Sequence, residues 1–282
     1  MYCLYCTITE HQREIADAVG YGHGAEGCVE EPFGQHIKLT LYFSQNDDAR
    51  AAAASFVELL SIDTPIIEHI PDGQDWNAKW RESMEPAEIA EGVWVSPVWL
   101  EPPQVGRKAW IKIEPKMAFG TGHHETTRLA AQELIAQAKF IAGKDILDIG
   151  TGSGVLCFVA DYAGAKSALG IEIDRDCREN LAENLRDNPA RDSGSVRFII
   201  GTTDAINTNC NQKFDAIIMN MLPTESIPLL EQVNTMIRAG GILIWSGILI
   251  DDLDEVIDTA ANFGFKLTGS RTENEWWCGT FA

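Results

Sequence analysis

An α/β fold with one mostly parallel sheet, preceded by a small α+β domain, is what this 282-residue sequence predicts. Three observations carry it. From Asp145 onward, apolar runs of strand length (DILDIG, SALGIEID, VRFIIG, FDAIIMNM, GGILIWSGIL) alternate with helical stretches, the pattern of βαβ units around a parallel sheet. Two further runs, FKLTGSRT and EWWCGTFA, close the chain as a hairpin. The first seventy or so residues run strand, helix, two strands, helix, which resembles a ferredoxin-like β-α-β-β-α-β module cut slightly short.

The elements follow in order. YCLYCTIT alternates with the period of a strand, HQREIADAVGYG with that of a helix, and GCVEEP and HIKLTLYFS are again strands. DDARAAAASFVELL is a helix whose Asp47 and Asp48 sit where a helix N-terminus favours acids. Cys3 and Cys6 form a CxxC pair, but a strand turns side chains three apart to opposite faces, so neither a metal nor a redox role is expected of them. IIEHIPDGQDWNAKW holds a Pro-Asp-Gly turn signal and is read as the connection between domains, with Trp76 and Trp80 on one helix face packing against a domain. The expected division is 1–70 for the α+β domain, 71–84 for the linker and 85–282 for the α/β domain. Two strand-like runs, GVWVSPVWL and KAWIKIEP, separated by EPPQVG, open the last of these.

With 42 acidic against 22 basic residues, the formal charge of −20 repels phosphate backbones and anionic lipid surfaces and favours a cationic ligand or a basic protein. Neither nucleic-acid nor membrane binding is expected, and no apolar run approaches the roughly 18 to 20 residues of a membrane span. Seven scattered cysteines, an odd number, suit reduced thiols. The N-terminal MYCLYCTITEHQ shows no basic start and apolar stretch of a leader, so the expected location is the cytoplasm.

LDIGTGSGVL places a glycine-rich turn between a strand and a helix, where open α/β sheets bind ligands. Gly150, Gly152 and Gly154 spell GxGxG, and Val155 stands where the dinucleotide fingerprint needs glycine. A nicotinamide dehydrogenase is therefore disfavoured. Glu172 ends the second strand, where an acid accepts hydrogen bonds from both hydroxyls of a ribose, and Asp204 follows the third strand within reach of an adenine edge. Alone, each of these acids is equally a helix cap. Together, in this order, they point to an adenosyl ligand. Asn220 follows the fourth strand, with Pro223 close behind; its amide oxygen and neighbouring carbonyls suit an amine, although an Asn-x-x-Pro run is also a plain turn former.

At this point the sequence resembles the S-adenosylmethionine-dependent methyltransferases, and more narrowly the family that methylates ribosomal protein eleven of the large subunit. The resemblance runs through DWNAKWRESMEP, AFGTGHHETTRL, LDIGTGSGVL, GIEID and NMLP, in that family's order. It implies a Rossmann-like, seven-stranded class I methyltransferase sheet and an N-terminal substrate-recognition domain. It also implies contacts to S-adenosylmethionine from Thr127, Gly150, Glu172 and Asn220, with Phe119, Gly120, Thr121 and Gly122 in a loop over the methionine end; Gly152 and Asp204 join the expected cofactor-binding residues by their place in the pattern. His123 and His124 are then loop residues, and with Glu125 alone beside them they lack the spacing of a zinc site, so no metal is expected. Two positions depart from the family: Glu172 stands where it usually has Asp, and Met-Leu-Pro follows Asn220 where it commonly has Ile-Leu.

The implied activity is transfer of methyl groups to amines of a large-subunit ribosomal protein, on lysine side chains and possibly the α-amino group, with Asn220 as the catalytic residue orienting a neutral amine. A lysine methyltransferase of another protein, such as an electron-transfer flavoprotein, a small-molecule methyltransferase and a non-catalytic binding module are the alternatives.

Overall fold

The computed structural model describes residues 1–34, 36–70, 84–116, 119–190, 194–206 and 212–282, with the backbone alone for Glu14, Asp17 and Pro32. The expected linker, apart from Met84, and the face shared by Trp76 and Trp80 lie outside the described residues. The chain divides into two compact units, Met1–Met84 and Glu85–Ala282.

In the first unit β1 (Tyr2–Ile8), α1 (Arg13–Gly22), β2 (Gly27–Phe33), β3 (His36–Phe43), α2 (Asn46–Leu60) and β4 (Ile66–His69) follow one another. The strands lie in the order β2-β3-β1-β4, every pair antiparallel. The module is thus complete rather than cut short, and Ile66–His69, expected within the connection, is its closing strand. Only Ile67 of that edge strand packs on the core while Ile66 is 63% exposed, so its four residues carry no alternation to detect. Leu4, Cys6 and Ile8 of β1 pack with Leu39, Leu41, Ala52 and Phe56. Cys3 belongs to the other face, as the strand period requires.

The second unit opens with a sheet of β5 (Ala87–Ala90), β6 (Val93–Ser96) and β7 (Ala109–Lys112). β5 and β6 turn about Gly92, whose φ of +74° takes it into the left-handed region. β5 was not among the expected strands; its AEIA run is too short to show a period. The run GVWVSPVWL stops as a strand at Ser96, ahead of Pro97, which has no amide hydrogen for a ladder.

There follow α3 (Glu125–Ala136), β8 (Asp145–Ile149), α4 (Val155–Tyr162), β9 (Ser167–Glu172), α5 (Cys177–Asp187), β10 (Val196–Ile200), β11 (Phe214–Asn220), α6 (Leu230–Met236), β12 (Ile237–Leu249), α7 (Leu253–Asn262), β13 (Leu267–Glu273) and β14 (Trp276–Phe281). The seven-stranded sheet runs β10-β9-β8-β11-β12-β14-β13. Its first five strands are parallel, and the terminal hairpin adds two antiparallel ones. This is the Rossmann-like α/β fold. Both faces are covered: Ile146, Ala216, Ile218 and Ile244 face a core shared with α3 and α4, and Leu147, Ile217, Leu243 and Trp245 face one shared with α6 and α7. Burial on both sides explains why these strands read as unbroken apolar runs. Among the described residues no helix is long and apolar enough to cross a membrane.

The strand order reverses between β8 and β11, and in open α/β sheets that reversal opens a crevice at the carboxyl ends of the strands. The segment leaving β11 is anchored from beneath. Fully buried Trp245 donates from Nε1 to Ser226 Oγ at 2.9 Å, and Ser226 Oγ donates to the Leu222 carbonyl at 2.9 Å. Replacing Trp245→Phe removes the indole donor and part of the ring; it should lower the unfolding free energy by about 1 to 3 kcal/mol in chemical denaturation. A change within measurement error would contradict the anchor.

Candidate functional site

A cavity of about 770 Å³ opens at that reversal, lined by Gly150 and Gly152 after β8, Glu172 and Asp174 at the end of β9, and Asn220 to Leu222 at the end of β11. Its shape begins with the glycine turn. Gly150, Gly152 and Gly154 have φ of +72°, +53° and +83°, conformations strained for any residue with a Cβ. Space is short as well: a Cβ on Gly152 would lie 2.5 Å from the Phe119 carbonyl oxygen. That oxygen accepts from the Ser153 amide at 2.9 Å, and Ser153 Oγ donates to the Gly120 carbonyl at 2.8 Å. The loop from Phe119 is therefore docked backbone to backbone on the glycine turn.

The predicted residues fall into two groups. Gly150, Gly152, Glu172, Asn220 and Phe119 line the cavity. Thr127, Gly120, Thr121 and Asp204 do not. Thr127 is fully buried, its Oγ1 3.5 Å from Asn220 Nδ2; Gly120 is held under the loop by Ser153. Thr121 Oγ1 lies 3.5 Å from His123 Nδ1. Gly122 packs on the three-stranded sheet, where a Cβ would come within 3.0 Å of Ile89 and Val95. After β10 it is Thr202 and Thr203 that face the cavity, with exposed Asp204 next in the chain and its Oδ2 3.5 Å from Thr202 Oγ1.

Glu172, 8% exposed, accepts from the Gly152 amide through Oε2 at 2.8 Å and from the Asp174 amide through Oε1 at 3.0 Å. Each carboxylate oxygen offers about two acceptor positions, so both remain able to receive a hydroxyl. Asn220 shows the opposite condition. Its Oδ1 is buried and is an acceptor without a partner among the described residues, an arrangement that costs about 1 to 3 kcal/mol unless a ligand supplies the donor.

Asp174, His124 and Trp276 are among the lining residues for which no role was expected. His124 is the N-cap of α3, its Nδ1 accepting from the Thr126 amide at 3.3 Å and lying 2.9 Å from Thr126 Oγ1. The ring of His124 stands 5.3 Å from that of Phe119 and 5.0 Å from that of Trp276, giving one wall of the cavity an aromatic surface. His124 was legible only by its place just before an acid-led helix, and Trp276 comes from the far end of the chain.

Beneath the glycine turn, Asp148 is 1% exposed. Burial pushes its carboxyl up to about 7, the Glu172 charge adding to the rise, while bonds from Thr151 Oγ1 at 2.5 Å and from Cys157 oppose it. Burial likewise raises the Cys177 thiol, at the cavity wall, to about 11, with Glu172 and Asp174 adding to it, so this thiol stays protonated and unreactive at neutral pH. The folded chain keeps the Asp148 proton in a range where the unfolded carboxyl, ionising near pH 4, has lost it. Stability should then fall as pH rises from about 4 to about 7 and level off above, by roughly 4 kcal/mol at most. Denaturation of the wild type and Asp148→Asn across this range checks it: the gap between them should change with pH only inside the window, and a constant gap would contradict it.

Comparison with known proteins follows the same architecture. The family model described as ribosomal protein L11 methyltransferase (PrmA) matches residues 6–282. A ribosomal protein L11 methyltransferase of Clostridium perfringens is 32% identical over 206 residues, covering 73% of this chain and 63% of that protein; the match thus spans less than two thirds of that relative's length. One from Fusobacterium nucleatum is 29% identical over 292 residues, covering 95% of this chain and 92% of its own length. Among solved structures, the ribosomal protein L11 methylase of Lactobacillus delbrueckii subsp. bulgaricus superposes with a TM-score of 0.62 at 24% identity, over 71% of this chain and 98% of that one. That likeness shows the shared fold. The chain belongs to the ribosomal protein L11 methyltransferase (PrmA) family.

Proposed function

We propose that this chain is an S-adenosylmethionine-dependent protein methyltransferase that methylates amines of ribosomal protein L11, on lysine side chains and the α-amino group. The single observation that carries the reading is Asn220, which lines the cavity and whose Oδ1 is buried with no partner among the described residues. It is an acceptor waiting for an N–H donor. The residues present also fit the cofactor: glycines too crowded for any Cβ, and an acid at the end of β9 with acceptor capacity left on both oxygens. Gly150, Gly152 and Glu172 would hold the adenosyl part, with Thr203 and Asp204 toward the base. The Phe119–Thr121 loop would cover the methionine end, and Thr127 would act through Asn220. S-adenosylmethionine, when bound, supplies an electrophilic methyl group on a sulfonium.

What the chain itself contributes is positioning. Asn220 Oδ1 accepts a hydrogen bond from the substrate amine, and Thr127 and the anchored Leu222–Ser226 turn keep the amide from rotating away. Holding the amine at attack distance is the larger part of the catalytic task. The amine must be neutral, which disfavours a lysine at about 10.4 more than an α-amino group at about 7.7 to 8.0. No dedicated base is assigned to the reaction, and water takes the proton. The net charge of −20 draws in a basic substrate. The Met1–Met84 unit is proposed as the substrate-recognition domain, the protein's location as the cytoplasm, and nucleic acid and membranes as outside its partners.

Intact-mass spectrometry of recombinant ribosomal protein L11 incubated with this protein and S-adenosylmethionine tests the reading. Mass steps of one methylene per methyl group are expected, with transfer reduced about 10²-fold or more in Asn220→Ala. An unmodified L11 would overturn the substrate assignment, and full turnover by Asn220→Ala would overturn the role of the amide. Gly152→Ala, which forces the Phe119 loop off the glycine turn, should weaken binding of S-adenosylhomocysteine in calorimetry by about tenfold or more; unchanged affinity would show that the docked loop does not shape the site.

A further inference from the structure

Arg128 stands in the first turn of α3, where the helix dipole disfavours a cation. It is nonetheless 21% exposed and fully engaged. Its Nη2 lies 2.5 Å and its Nε 2.9 Å from Glu273 Oε1, with Nε 3.3 Å from Oε2. Its Nη1 donates to the His123 carbonyl. One guanidinium thus ties together two segments that are 145 residues apart in sequence: the loop ending in His124, and the last residue of β13.

Glu273 leads into the tight turn that presents Trp276. Asn274, with φ of +53°, forms that turn and donates from Nδ2 to Glu125 Oε1 at 3.0 Å. Glu125 Oε1 is itself 3.6 Å from Arg128 Nη2. This group of charges joins the His123–Glu125 end of the helix to the turn before Trp276, while further along the helix Arg271 and Thr280 of the hairpin bond Glu133. His124 is also held as the N-cap of α3 and Trp276 packs against the core, while their mutual stacking at 5.0 Å between ring centroids adds only about 0.5 to 1.5 kcal/mol.

We propose that the Arg128–Glu273 pair is a positioning clamp, holding the Phe119–His124 loop and the β13–β14 turn together so that the aromatic wall beside Asn220 is formed before substrate arrives. Neither residue lines the cavity, so the pair acts through the rings it aligns. The inference rests on the proposed methyl transfer, since the wall serves the amine end of the cleft. A misplacement of about 1 Å at such a wall is enough to cost about 10²-fold in rate.

The test uses the full chain with Arg128→Ala, Glu273→Ala, the double variant, and the milder Arg128→Lys and Glu273→Gln. Steady-state methylation of ribosomal protein L11, calorimetric titration with S-adenosylhomocysteine and the tryptophan emission assigned to Trp276 by difference from Trp276→Phe are measured on each. Expected are a 10- to 100-fold loss of kcat/KM in either alanine variant, no greater loss in the double variant, and cofactor affinity within about twofold of wild type. The Trp276 component should shift to the red in both, and Arg128→Lys, which keeps the charge but cannot reach Glu273 and the His123 carbonyl together, should fall between wild type and Arg128→Ala. Additive losses, or an unmoved Trp276 component in folded variants, would overturn the clamp. If the wild type itself leaves L11 unmethylated, it is the function that fails, and the emission shift alone decides the clamp.

Discussion

A side chain at position 152 has nowhere to go, because the Phe119 carbonyl oxygen lies 2.5 Å from where its Cβ would stand, and the rest of the site depends on that approach. Two backbone segments from distant parts of the chain meet there, sealed by the amide and hydroxyl of Ser153. Their meeting turns an open crevice at a strand reversal into a cavity with a roof. It explains why glycines occur in both segments: each loop must present bare backbone to the other. Thr and Ser flank these glycines as donors, and Gly122 lets the loop lie flat on the three-stranded sheet.

From that contact the chemistry spreads in two directions. On one side the glycine turn hands its Gly152 amide to Glu172, whose second oxygen is held by Asp174. The extra methylene relative to an aspartate is accommodated by this pair of backbone bonds, which fix the carboxylate where it is. On the other side, α3 begins directly after the loop, capped by His124. Its buried Thr127 reaches Asn220. Asn220 Oδ1 is one of the few buried polar atoms without a partner among the described residues, with Asp148 Oδ1, Asn180 Oδ1 and Glu183 Oε2, and of these four residues Asn220 is the one that lines the cavity.

How much of this was legible follows from where each residue gets its constraint. The parallel strands were readable because burial on both faces makes them continuous apolar runs. Gly150, Gly152, Glu172 and Asn220 were readable because each sits at, or within a few residues of, the carboxyl end of a strand, so sequence position and spatial position coincide. Past β10 the rule is looser: Thr202 and Thr203 line the cavity, with Asp204 next in the chain. Strands β4 and β5 escaped because four residues at a sheet edge show no period. Trp276 escaped for a different reason. It enters the site through the C-terminal hairpin that extends the sheet beside β12, and contacts at such separations leave no trace in local pattern. The importance of Arg128 was hidden in the same way, since its partner Glu273 lies in that hairpin.

The central claim is that the cavity beneath the docked loop is a methyl-transfer site built around Gly152, Glu172 and Asn220. The most direct measurement is a crystal structure of the full chain with S-adenosylhomocysteine. The account predicts the ribose hydroxyls on the Glu172 carboxylate, the backbone of the glycine turn against the ligand, and the sulfur facing Asn220 under the Phe119 loop. A ligand bound elsewhere, or one in this cavity with its ribose away from Glu172, would contradict it.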